Sequence, residues 1–248
     1  MKAIILAAGK GKRLGKLTES IPKPMLKIGK KPILEHNIEC LRDYGISDIY
    51  INLHHLPEVI RNYFSDGKKW GVNIQYSYEP ALLGTAGAMR KIAEDYWIKK
   101  SWKKNKHILS PKRQNPFFVV YGDNLFAYNL RKIINFHERK KGVATIALYE
   151  KENVEQSGIV LLNGDNKIIK FIEKPKPGEV VSNLVNTGLY ILEPKVLDYI
   201  PSNKAIDFGK DVFPEMIKND EKIFGLILKG NLRAIDTPLL YKQVTEAS

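Results

Sequence analysis

Residues 1–53, MKAIILAAGKGKRLGKLTESIPKPMLKIGKKPILEHNIECLRDYGISDIYINL, contain the three elements whose order decides the architecture. Ala3 to Ala7 is a short apolar run rich in isoleucine and reads as a strand. A loop of glycine and lysine follows it. Pro32 then opens a helix in which Ile33, Leu34, Ile38 and Leu41 share one face, and Gly45 ends it. The β-branched run DIYINL (48–53) is the next strand. A strand, a crossover helix and a second strand make a βαβ unit, which places a parallel sheet at the start of the chain.

Outward from this unit the alternation continues to about residue 140. The patterning predicts a helix over 57–64, a strand over 73–78, a helix over 85–94 and a buried strand in FFVVYGD (117–123). Beyond 140 the strands follow one another: VATIALY (143–149), GIVLL (158–162), KIIKFIE (167–173) and NTGLYIL (186–192), divided by turn residues such as NGDN (163–166). VLDYI and DVFPEMI read as short helices, KIFGLIL as a strand, and TPLLYKQVTEA as a closing helix with Thr237 at the N-cap. The expected fold class is α/β, a Rossmann-like, mostly parallel but mixed sheet flanked by helices, with a smaller sheet-rich lobe. No Ser/Gly linker and no internal repeat interrupts residues 1–248, so a single domain with two lobes is expected.

Composition excludes several classes. At 248 residues, 44% hydrophobic and 27% charged, the chain is close to an average globular protein and long enough to bury a large core. One cysteine, Cys40, allows neither a disulfide framework nor a cysteine-rich zinc site and implies a reducing, cytoplasmic setting. The opening apolar run is too short for a signal sequence or a membrane span, so no membrane association is expected. A net charge of +13 favours anionic partners. Residues 99–113 alone carry seven Lys/Arg and no acid, so the rest of the chain holds about +6, or 13 less 7. That stretch, flanked by Trp97 and containing Trp102, reads as an insertion over 96–116, a solvated loop with its tryptophans packed back. No nucleic-acid-binding motif accompanies it, and no nucleic-acid partner is expected.

Gly9 and Gly11 stand where the first strand gives way to its loop, the place where open α/β sheets bind ligands. Glycines there admit phosphate close to backbone N–H groups, and Lys10, Lys12 and Arg13 add positive charge. Two familiar phosphate loops fail on spacing: Gly9 and Gly15 have five residues between them and Lys16-Leu17 after, and Leu14 replaces the third glycine of a dinucleotide fingerprint. Lys23 lies between Pro22 and Pro24, whose fixed φ angles stiffen the chain and aim the side chain. Asp123 follows an apolar strand, so its carboxylate emerges at the sheet's carboxyl edge, where a hard cation can bridge phosphates.

LAAGKGKRLGKLTESIPKPMLKIGKKPILE (6–35) resembles the LAAGxGxRLxPLTxxxPKPMLxIxxKPILE signature of the sugar-1-phosphate nucleotidyltransferases, also called sugar-nucleotide pyrophosphorylases, with Lys16 in place of the first proline. The resemblance continues in order through EPALLGTAGAM (79–89), YGDNL (121–125), SGIV (157–160), FIEKP (171–175), VNTGLYIL (185–192), DFGKDVFP (207–214) and IDTP (235–238). LGTAG is common among mannose-1-phosphate guanylyltransferases. The resemblance implies Mg²⁺-dependent joining of a nucleoside triphosphate and a sugar 1-phosphate, with release of pyrophosphate. Residues 1–140 would form the nucleotide-binding half and 141–248 the sugar-binding half.

Carried over position by position, the likeness puts Arg13 on the β/γ-phosphates, Lys23 on the phosphates being joined and Asp123 on Mg²⁺. Leu6, Ala7, Ala8, Gly9, Gly11, Glu79, Gly84 and Thr85 would bind the nucleotide, and Gly158, Glu173, Lys174 and Asn186 the sugar. Many relatives show Asp-x-Gly-Thr-Pro near the end. Here Ala234 takes the ligand's place and Asp236 the glycine's, so Asp236 is expected either as the second metal ligand or as a helix cap. Such chemistry needs no histidine, because a phosphomonoester with a second pKa of about 6 is already mostly dianionic at neutral pH. His36, His54, His55, His107 and His137 are therefore expected as core or surface residues. GTP with mannose 1-phosphate is the expected pair. UTP or dTTP with glucose 1-phosphate, GTP with a heptose phosphate, and a non-catalytic NDP-sugar-binding homologue are the alternatives, and a homo-oligomer is left open.

Overall fold

The computed structural model describes residues 1–98, 115–126, 128–228, 232–235 and 237–246. Asp236, Trp102, His107 and the basic stretch 99–113 lie outside the described residues. In chain order the strands are β1 (Lys2–Leu6), β2 (Lys27–Ile28), β3 (Lys31–Pro32), β4 (Asp48–Leu53), β5 (Asn73–Tyr78), β6 (Phe117–Tyr121) and β7 (Asn124–Phe126). They continue with β8 (Ala144–Glu150), β9 (Gly158–Leu162), β10 (Ile168–Glu173), β11 (Leu184–Leu192), β12 (Ile223–Ile227) and β13 (Leu232–Ala234). The α-helices are α1 (Ile33–Asp43), α2 (Pro57–Phe64), α3 (Gly84–Ile92), α4 (Leu130–Lys140), α5 (Phe213–Lys218) and α6 (Pro238–Glu246).

Two compact units form, each from discontinuous stretches: Met1–Leu82 with Val120–Tyr128 and Gly230–Ser248, and Leu83–Val119 with Asn129–Lys229. In the first, β1, β4 and β5 are parallel and in register, Ile5 opposite Ile51 and Ile51 opposite Tyr76. The expected crossover helix is α1; Ile33, Leu34, Ile38 and Leu41 are all buried. β13 pairs antiparallel with β7, placing Ala234 opposite Asn124. The closing segment packs here, with Ile235 and Val244 buried in one cluster with Leu14, Leu26, Ile28 and Ile33. Thr237 caps α6 as expected, its Oγ1 accepting from the Leu240 N–H at 3.2 Å.

The second unit is mixed. β8 pairs antiparallel with β11 and parallel with β12, β11 pairs antiparallel with β9, and β9 with β10. α4 packs on β8, β11 and β12. Residues 144–148 of β8 and 185 and 187–192 of β11 are all buried, the continuous apolar pattern of strands covered on both faces. Trp97 packs edge-on to Phe117 at 4.9 Å between ring centres, as expected of a tryptophan turned back on the body. A parallel β1–β4–β5 ladder in one unit and mixed ladders in the other, together with the helices, give the expected α/β class.

Candidate active site

In the first unit the site is built at the carboxyl end of β1. The Gly122 N–H donates to the Leu6 carbonyl at 2.9 Å, and a Cβ at Gly122 would meet Ile5 Cγ2 at 2.7 Å. Lack of a side chain thus lets the turn after β6 close on β1 and brings Asp123 to the strand end. Gly11 has φ +62°, and a Cβ there would lie 2.8 Å from Thr18 Cγ2 and 3.3 Å from Lys23 Cβ. The glycine loop is therefore seated on the stem of Lys23. The Thr18 hydroxyl, 3.1 Å from the Gly11 carbonyl and 3.2 Å from that of Gly15, donates to one or the other.

Lys23 is 5% exposed, and its Nζ donates to Asp123 Oδ2 at 2.8 Å. A buried ammonium needs such a partner. The Asp123 side chain is 35% exposed, so this carboxylate has a buried side toward the lysine and an open side toward solvent. Arg13 stands exposed on the short helix Lys12–Thr18. Two asparagines that the sequence reading missed hold these pieces. Asn37 donates to the Asn124 carbonyl at 2.9 Å and accepts from the Phe126 N–H at 3.3 Å, fixing the strand after Asp123. Asn52 accepts from the Ala7 N–H and donates to Glu79 Oε1, each at 2.7 Å. An amide inside an apolar strand or helix face is the signal that could have found them.

In the second unit, Gly84 opens α3 with φ +70°, and a Cβ there would lie 2.5 Å from the Ile206 carbonyl oxygen. That carbonyl accepts from the Ala86 and Gly87 N–H groups at 2.9 and 3.1 Å. Thr85 lies inside the first turn, with Leu83 at the cap. Its N–H and hydroxyl both donate to Asp207 Oδ1 at 3.1 Å, and its Oγ1 accepts from the Phe208 N–H at 2.9 Å. The donors at the helix start are thus satisfied by a segment more than a hundred residues on.

The same segment reaches the expected sugar residues. A Cβ at either Gly158 or Gly209 would stand 2.6 Å from Glu173 Oε2, so two glycines make the space for this carboxylate. Burial raises the Glu173 carboxyl above its ordinary 4.5; Lys174 opposes the shift, Asp207 adds to it and Lys210 opposes it. Lys174 is exposed with φ +53°, and its N–H donates to the Ser157 carbonyl at 3.1 Å. Asn186 donates to the Tyr190 hydroxyl at 2.7 Å and accepts from the Gly188 N–H at 2.9 Å, at the irregularity in β11.

The structure therefore brings Leu6, Gly11, Lys23 and Asp123 together in one unit, with Ala7 tied to Glu79, and Thr85, Asp207 and Glu173 into a chain of neighbours in the other. The described histidines hold backbone or side-chain partners: His36 the Ile28 carbonyl, His54 that of Glu79, His55 that of Thr18, and His137 Thr145 and Glu193. Among the described residues no group of three or more His, Cys, Asp or Glu could hold a metal, and no helix is long and apolar enough to cross a membrane.

A UTP–glucose-1-phosphate uridylyltransferase of Synechocystis is 40% identical over 228 residues, covering 88% of this chain and 55% of its own. A mannose-1-phosphate guanyltransferase of Saccharomyces cerevisiae is 34% identical over 233 residues, covering 93% and 60%. The chain thus spans little more than half the length of these relatives. Among solved structures, HddC from Yersinia pseudotuberculosis, complexed with GMP-PN, superposes with a TM-score of 0.77 at 24% identity, over 99% of this chain and 98% of that one. The profile of the family described as Nucleotidyl transferase matches residues 2–232, and the chain belongs to that family.

Proposed function

We propose that the chain transfers a nucleotidyl group from a nucleoside triphosphate to a sugar 1-phosphate. The observation that carries this reading is the buried Lys23, whose stem supports the glycine loop and whose ammonium meets the strand-end Asp123. In the reaction an oxygen of the sugar phosphate forms a bond to the α-phosphorus. The bond from that phosphorus to the bridging β-phosphate oxygen breaks, and pyrophosphate leaves with the electron pair. Two polyanions must be gathered and aligned, so fixed cations and geometry supply most of the catalysis. Lys23 neutralises charge on the phosphates being joined, Arg13 receives the departing pyrophosphate, and Leu6, Ala7, Ala8, Gly9 and Gly11 line the nucleotide.

Asp123 fits a hard divalent cation: one carboxylate with an open side, to be completed by substrate phosphates and water, is how Mg²⁺ is ordinarily held. When bound, Mg²⁺ would draw charge from the phosphoryl oxygens. Asp236 is proposed as its second ligand. Residues 1–140 would serve the nucleotide, with Glu79, and with Gly84 and Thr85 bounding the base. Residues 141–248 would serve the sugar through Gly158, Glu173, Lys174 and Asn186. The setting proposed is cytoplasmic, with nucleotide and sugar phosphate as partners.

GTP with mannose 1-phosphate is supported by LGTAG and by the yeast relative, UTP with glucose 1-phosphate by the Synechocystis relative. Pyrophosphate release with Mg²⁺, measured for four triphosphates against both sugar phosphates, tests the reading. One strongly preferred pair is expected. Tight binding of an NDP-sugar with no pyrophosphate from any pair would turn the reading toward a non-catalytic homologue, which Ala234 would then explain.

A further inference from the structure

The Ala7–Asn52–Glu79 chain lies across the carboxyl ends of three adjacent parallel strands. Asn52 stands on the central strand β4, opposite Leu6 of β1 on one side and Ser77 of β5 on the other. Its Oδ1 accepts from the Ala7 N–H and its Nδ2 donates to Glu79 Oε1. Asn52 is 4% exposed and Glu79 is 1% exposed. Glu79 is fixed in turn: its N–H donates to the Leu53 carbonyl at 2.8 Å, and its carbonyl meets His54 Nδ1 at 2.8 Å. The Asn52 amide offers an acceptor to a backbone N–H and a donor to a carboxylate at once. With Asn52 and Glu79 both buried, breaking either bond costs a hydrogen bond that water does not readily replace, so the geometry is held tightly.

Resting on the nucleotidyl-transfer reading, we infer that Asn52 is the positioning residue that sets the backbone turn of Ala7 and Ala8 against the nucleotide, with Glu79 as its anchor. Asn52 acts through Ala7, so its loss weakens capture of the triphosphate more than it slows the chemistry. The inference also gives the Glu79 carboxylate a positioning role, exerted through Asn52.

Asn52→Asp is the informative change. The new carboxylate still accepts from Ala7 but has no proton for Glu79, and it sets two like charges at hydrogen-bond distance. The double variant N52D/E79Q inverts the pair: the aspartate accepts from Ala7, the glutamine amide donates to the aspartate, and the net charge is restored. Steady-state kinetics of wild type, N52D, E79Q and N52D/E79Q, with thermal unfolding of each, form the experiment. Expected are a rise of about 10-fold or more in the KM for triphosphate in N52D, a kcat and a sugar-phosphate KM within about 3-fold, and recovery of the inverted pair to within about 3-fold of E79Q.

The inference is overturned if folded N52D keeps the wild-type KM for triphosphate, if both KM values move together, or if the inverted pair regains thermal stability without regaining the KM. Should N52D fail to fold, the comparison of N52D/E79Q with E79Q decides by the same criterion. Failure of the underlying reading looks different, because wild type then releases no pyrophosphate with any pair. Equilibrium binding of a fluorescent triphosphate would in that case judge the inference: weakened binding in N52D that recovers in the inverted pair supports it, and equal binding overturns it.

Discussion

Lys23 and Asp123 are unequal partners, one buried and one about a third exposed, and their substitutions should therefore differ in kind. Asp123→Ala leaves the ammonium buried without its carboxylate, and a loss of about 1–3 kcal/mol is expected in urea unfolding, discounted for the exposure of Asp123. Lys23→Met removes the buried charge and leaves a carboxylate that water can reach. It should be the more stable variant of the two, and K23M/D123A should recover stability lost in D123A. Turnover should fall about 10²-fold or more in all three, as for other fixed charges on phosphoryl groups. Glu173 is a second residue with a measurable signature. Its carboxyl titrates above the 4.5 of the free side chain because burial disfavours the charge. Its contribution to stability is thus greatest below 4.5 and declines as pH rises through the folded value. Glu173→Gln should raise the unfolding temperature at pH 8 and leave it unchanged near pH 4, while weakening the sugar phosphate. An unchanged difference across pH would contradict the burial argument.

At the scale of elements, the start of α3 is where backbone geometry is most demanding. Gly84 combines a positive φ with a carbonyl 2.5 Å from where a Cβ would sit, so Gly84→Ala should cost about 2–4 kcal/mol. Gly9, with nothing within 4 Å of its would-be Cβ, should tolerate alanine within about 1 kcal/mol. Asp207→Ala should cost about 1–2 kcal/mol and Asp207→Asn much less, since the amide oxygen can still accept from Thr85. Chemical denaturation of the four variants checks these values. Much of this level was legible in the sequence. The strands at 48–53, 73–78 and 158–162 and the helix at 57–64 fall on the expected residues, because apolar periodicity and flanking Gly or Pro mark such elements directly. What periodicity does not record is which distant segment satisfies an element's ends. A helix at 85–94 is readable from its own residues, whereas the donors at its start are met by Asp207 and Ile206. Asn37 and Asn52 escaped notice because a polar residue within an apolar run tells of a partner without naming it.

For the whole molecule the surplus of +13 should act on encounter more than on chemistry. Raising ionic strength from about 0.02 M to about 0.3 M shortens the screening length well below the size of a domain, so the KM for triphosphate should climb several-fold with a smaller change in kcat. A salt-independent KM would show that only local cations matter. That the first unit is assembled from stretches far apart in the chain has a different kind of consequence. The bed beneath Leu14, Leu26 and Ile28, beside the turn that carries Lys23, is completed by Ile235 and Val244. Synthesis proceeds at about 5–20 residues each second, so Leu14, Leu26 and Ile28 wait on residues made about two hundred positions later before they can settle. Until then the nascent chain carries an uncovered apolar surface beside the turn of Lys23, and the phosphate-handling machinery stays unfinished.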